Sequence, residues 1–83
     1  MRYTVTWVPA AQDELARIWM NAADRNQITR AAALIDRILG SDPTRRAVPE
    51  GDEYRLVVRP LAVLFSFSPD DCLARVLEVI LLG

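Results

Sequence analysis

Arg55 and Arg59 lie four residues apart in a run that reads as a β-strand, so alternation puts both guanidinium groups on one face. At ~3.3 Å per residue they sit about 13 Å apart, a spacing suited to two phosphates rather than one. Arg45 and Arg46, in a loop nearby, offer two more planar forks for carboxylate or phosphate oxygens. The acids Glu50, Asp52 and Glu53 leave the stretch 45–59 at a net charge of +1, the balance of a solvated, partly self-paired loop. A proton-transfer group is harder to find. The ten basic residues are all arginine, and the chain has no histidine. That removes the usual acid–base residue at neutral pH, along with His-based metal sites and Ser–His or Cys–His nucleophile pairs. Arginine itself is no base, and Glu50, Glu53 and Glu78 would serve only with raised pKa values. Cys72 is the one cysteine, so no intrachain disulfide can form; a packing role and a reducing, cytoplasmic setting are expected. Asp70 and Asp71 follow Pro69 as turn residues rather than a metal pair, and neither metal nor cofactor is expected.

The elements that position these groups can be read from periodicity. Glu53 to Phe67 reads as a hairpin with Pro60 and Leu61 at the turn. That register pairs Arg59 with Ala62, Val57 with Leu64 and Arg55 with Ser66 on one face. It pairs Val58 with Val63, Leu56 with Phe65 and Tyr54 with Phe67 on the other, which is aromatic and aliphatic and suited to lie under helices. Ahead of the hairpin, Tyr3–Trp7 alternates as a first strand. Pro9 opens a first helix, with Asp13 and Glu14 expected in its first turn and a stripe of Ala11, Leu15, Ile18, Trp19 and Ala22. Asp24 caps a second helix whose stripe is Ile28, Ala32, Ile35, Ile38 and Leu39, widened by Ala31 and Leu34. Gly40 is expected to close it, Pro43 to forbid its continuation, and Ser41–Asp52 to be loop. Ser68–Asp71 reads as a turn and Leu73–Leu82 as a last strand. Trp7 and Trp19 read as packing residues rather than base-stacking platforms.

The expected fold is therefore α+β, in the order β-α-α-β-β-β: one domain over residues 1–83, an antiparallel sheet with a helical hairpin on its apolar face. Its net charge of −1 argues against holding nucleic acid by bulk electrostatics. Its longest apolar run, Val79–Leu82, is far too short to span a bilayer. At 52% hydrophobic residues, either the core is unusually generous or apolar surface is left for a partner. Val57, Leu64 and Ile80 are the candidates for that strip, on the sheet face away from the helices.

Three segments resemble the RelE/ParE superfamily of toxins from bacterial type II toxin–antitoxin systems. They are Trp7–Ala11 leading into Leu15–Trp19, Ile35–Leu39 before Asp42-Pro43, and Tyr54–Phe65 followed by an acidic turn and the last strand. The resemblance implies a growth-inhibiting toxin neutralised by a cognate antitoxin protein. RelE-like members cleave mRNA on the ribosome, whereas ParE-like members inhibit DNA gyrase without cleaving RNA. Arg55 and Arg59 match basic positions of the RelE-like set, and with Arg45 and Arg46 they are candidates to contact either RNA phosphates or acids of the antitoxin. Ala62 falls where a further basic residue belongs, Glu78 where one is frequent, and Ile80-Leu81-Leu82-Gly83 where basic and aromatic groups would follow the last strand. The catalytic set implied by the resemblance is thus incomplete. The alternatives are a gyrase inhibitor, or a degenerate toxin that acts only as a binding partner, and a homodimer is a further assembly to test.

Overall fold

The computed structural model describes residues 2–82. Strand β1 (Thr4–Trp7) is followed by helices α1 (Pro9–Asn21) and α2 (Arg25–Ser41), then by β2 (Val48–Glu50), β3 (Glu53–Val58), β4 (Leu61–Ser68) and β5 (Leu73–Leu81). The strands form one five-stranded sheet in the order β1-β5-β4-β3-β2. β1 runs parallel to β5 and every other neighbouring pair is antiparallel. A parallel pair needs a long crossover, and the helical hairpin supplies it. The core lies between that hairpin and one face of the sheet. Ala11 and Ile18 from α1 and Ile28, Ala31, Ile35 and Leu39 from α2 are buried with Leu56, Val63, Phe65, Ala74, Val76 and Val79.

Helix α1 starts on Pro9, whose missing N–H costs nothing there. Asp13 and Glu14 consequently fall beyond the first turn, and Glu14 pairs with Arg17 instead. The Asp24 side chain accepts from the Gln27 N–H at 3.2 Å, capping α2 as its residue type demands. Gly40 does not end α2: the helix runs on through Ser41, and Asp42 is the cap residue. The Gly40 carbonyl instead accepts from the Tyr3 N–H at 2.8 Å, tying the start of the chain to the helix end.

Two departures from the sequence reading bear on the site. The segment expected to be loop contains β2, whose Val48-Pro49-Glu50 pairs with Arg55, Tyr54 and Glu53 across a turn with Gly51 at φ +63°. A three-residue, fully exposed strand with a central proline is an edge strand, and it carries almost no alternation to detect. The hairpin register also differs. Arg59 and Pro60, joined by a cis peptide bond, form the turn, so Val58 pairs with Leu61, Val57 with Ala62, Leu56 with Val63, Arg55 with Leu64 and Tyr54 with Phe65. Proline occupies the second turn position, not the first. The slip moves each β3 residue by two along β4, which changes partners and keeps faces. A bulge then leaves Leu77 unpaired between Glu78, opposite Leu64, and Val76, opposite Phe65. It allows Val76 and Val79, three residues apart, both to point into the core.

Candidate functional site

The sheet face turned away from the helices carries the groups singled out above. Strand pairing sets Glu78, Leu64, Arg55 and Val48 in one row across β5, β4, β3 and β2, with Ile80, Ala62 and Val57 in the next. Val57, Ile80 and Val48 are 47%, 54% and 64% exposed, an unusual concentration of aliphatic surface for so few residues. Leu64 is half-buried among them. Ala62 is only 4% exposed although it lies on the open face, because the larger side chains around it stand above its methyl group. The result is a hollow of about 70 Å³ bounded by Glu50, Arg55, Ala62, Val63, Leu64, Glu78 and Ile80.

The four arginines are not brought together. Arg55 projects from β3 onto this face and its guanidinium is held by the Glu50 carboxylate from β2. Arg59 sits in the β3–β4 turn, one residue beyond the end of β3, rather than on the strand with Arg55 as expected. Arg45 and Arg46 lie after α2, lining a separate hollow with Leu34, Arg37, Ile38, Ser41 and Asp42. Val57, Leu64 and Ile80 do share one exposed face. The sequence reading missed the part played by Glu50, because β2 was not foreseen, and with it the carboxylate that occupies Arg55. Of the C-terminal segment named above, Gly83 lies outside the described residues.

A second concavity, between the helices, was also not foreseen. A groove of about 560 Å³ is floored by Leu15, Ile28 and Ala32 and walled by Trp7 and Trp19. Both indoles are pinned: Trp7 Nε1–H donates to Asp36 Oδ1 at 2.8 Å, and Trp19 Nε1–H donates to Thr29 Oγ1 at 3.1 Å. The Arg25 guanidinium lies 4.7 Å from the centre of the Trp19 ring. Trp7 thus packs against the core as expected, whereas Trp19 is 40% exposed at the rim of the groove. On the outer side of α1, the Arg17 hydrogen bond holds the Glu14 carboxyl below its ordinary pKa.

The helical hairpin over one face of a five-stranded sheet, with the first strand parallel to the last, gives this chain a fold that aligns with solved RelE chains. The chain is similar to one in the RelBE2 toxin–antitoxin complex of Mycobacterium tuberculosis, with a TM-score of 0.81 at 16% identity over 98% of this chain and 99% of that one. It is similar also to one in the archaeal RelE–RelB complex of Pyrococcus horikoshii, with a TM-score of 0.75 at 20% identity over 100% and 98% of the two chains. The isolated RelE toxin of Escherichia coli aligns at a TM-score of 0.61 and 15% identity, over 98% of this chain and 85% of that one. No family model matches the sequence, and no curated protein matches it. At these identities the likeness lies in the fold. Among the described residues, no helix is long and apolar enough to cross a membrane.

Proposed function

We propose that this chain is the toxin-type subunit of a toxin–antitoxin pair, acting in the cytoplasm and held by an antitoxin that covers the open sheet face. The observation that carries this reading is the coincidence of two features on one small molecule. Its fold aligns from end to end with chains crystallised in RelB–RelE complexes. Its sheet also turns Val57, Leu64 and Ile80 to solvent on the side the helices leave bare.

The same face favours inhibition by protein contact over RNA cleavage. Attack of a ribose 2′-hydroxyl on the adjacent phosphate, with the next nucleotide's 5′-oxygen leaving, needs a base for the hydroxyl proton, cations on the phosphorane and an acid for the leaving oxygen. Here Glu50 engages Arg55, Arg59 sits in the turn beyond β3, and Glu78 stands opposite Leu64. An aliphatic surface with mixed charge at its edge suits a protein target, of which DNA gyrase is the one the family resemblance implies.

Induced expression in a bacterial host lacking any antitoxin tests both levels, with growth and pulse-labelled translation followed together. Arrest with translation initially intact, accompanied by an SOS response, is the expected result. Translation collapsing before growth would replace contact inhibition with ribosome-dependent mRNA cleavage. Harmless induction of folded protein that forms no complex with the product of the adjoining gene would overturn the toxin reading.

A further inference from the structure

We propose that the partner segment seated on the open sheet face is basic rather than acidic, placing one aliphatic side chain in the hollow over Ala62 and an arginine or lysine against Glu78. This inference rests on the reading that a partner protein covers that face, and it specifies the chemistry of the segment that does so.

The shape of the site comes first. Ala62 provides the floor of a hollow of about 70 Å³, with Ile80 on one side and Leu64 on another. That volume is far below the ~300 Å³ at which small-molecule pockets begin, so it accepts the end of one side chain and not a separate ligand. A side-chain anchor in a well-packed, desolvated notch is a recurring centre of protein contacts, and the aliphatic walls and small volume here select an aliphatic one.

Charge decides what flanks the anchor. Three ionic groups bound the hollow: Glu50, Arg55 and Glu78. Arg55 and Glu50 satisfy one another. The Glu78 carboxylate makes no hydrogen bond or ion pair among the described residues, so the lining of the hollow has one carboxylate in excess. Arg75 lies on the same face one row away, opposite Ser66, but neither lines the hollow nor forms an ion pair with Glu78. An acidic segment would set carboxylates against Glu78, while a cation beside the anchor gives that group the partner it lacks.

Two synthetic peptides of equal length, each with a central leucine flanked by arginines in one and by glutamates in the other, test the inference. They are titrated into the isotope-labelled full chain while backbone amide signals are followed. The arginine peptide is expected to move the amides of Ala62, Leu64, Glu78 and Ile80 and to bind about tenfold more tightly than the glutamate peptide, attraction at the rim having become repulsion. Glu78→Gln, at an exposed position that leaves the core untouched, narrows that ratio to about threefold or less. Ala62→Leu fills the notch and abolishes arginine-peptide binding, with circular dichroism confirming the fold. Equal affinities, a preference for the glutamate peptide, or no shifts with either peptide would overturn the proposal. So would dilution-dependent shifts of these amides before any peptide is added, which would assign the face to a second copy. Failure of the toxin reading shows differently, as harmless induction and no complex with the adjoining gene's product, whatever the peptides do.

Discussion

The Trp7–Asp36 contact offers the sharpest test of how the helical layer is fixed to the sheet. Trp7 ends β1, Asp36 lies on α2, and the indole N–H donates to the carboxylate at 2.8 Å. A hydrogen bond to a charged group contributes about 1.5–3 kcal/mol when shielded. Asp36 is exposed and Trp7 half-buried, and solvent competes for both groups. Discounting for that exposure leaves about 1 kcal/mol for the pair. In a domain of this size such a loss lowers Tm by about 4–8 °C. Trp7→Phe keeps a ring against the core and deletes the donor, Asp36→Ala deletes the acceptor, and the double variant closes the cycle. Urea unfolding is followed by circular dichroism in all four proteins. In the Trp7→Phe background Trp19 is the one remaining indole, so its fluorescence supplies a second probe. A coupling of about 1 kcal/mol is expected, against the ~0.3–0.5 kcal/mol within which independent sites add. Additive effects would refute the reasoning, and Trp7 would then be free to turn its ring edge to another partner in the interhelical groove.

Three further outcomes follow from local structure. Phe65 is fully buried and stacks on Tyr54 at 5.7 Å between ring centres, so Phe65→Ala is expected to cost about 3–5 kcal/mol in urea unfolding, whereas Val57→Ala on the open face stays within about 0.5 kcal/mol. Gly51 holds φ at +63° with nothing within 4 Å of an added Cβ, so Gly51→Ala should destabilise by about 1 kcal/mol through backbone conformation alone, and Gly51→Asn by less. For Glu14, the Arg17 hydrogen bond lowers the folded pKa, so its contribution is present above the unfolded value and is lost as pH falls through the depressed folded one. An NMR titration of the Glu14 carboxyl should show that lowered midpoint, and Arg17→Ala should return it to the ordinary glutamate range.

What could be read in advance divides along a physical line. Burial on the inner face follows from strand alternation, so Leu56, Val63 and Phe65 were identifiable from type and spacing alone. Asp24 was legible as a cap because its side chain needs only the N–H three residues on. Register was not legible, since it depends on whether Pro60 takes the first or second turn position, and the flanking residues fit either choice. β2 was hidden by its length and by Pro49. The bulge at Leu77 breaks the period of β5 in a way that simple alternation cannot register. The interhelical groove was obscured for another reason: Leu15, Trp19, Ile28 and Ala32 look the same whether two helices close fully on one another or leave a cleft.

That division also separates two kinds of functional argument. A two-residue slip of one strand along another preserves which residues share a face and alters which residues are neighbours. Inferences built on faces therefore survive it, and the outward-facing set of exposed Val57 and Ile80 with half-buried Leu64 is of that kind. Inferences built on distances do not survive, and the paired phosphate contact of Arg55 and Arg59 was of that kind. Moving the turn by one position took Arg59 off the strand, and pairing β2 with β3 brought Glu50 to Arg55. Binding a polyanion draws on unpaired cations, and of the two expected here Arg55 is paired and Arg59 lies in the turn. Binding a protein draws on a desolvated aliphatic centre with charge at its rim, which is the arrangement around Ala62. The same two backbone features thus part Arg59 from the strand of Arg55 and give Arg55 a carboxylate partner, while the aliphatic centre around Ala62 stays open to solvent.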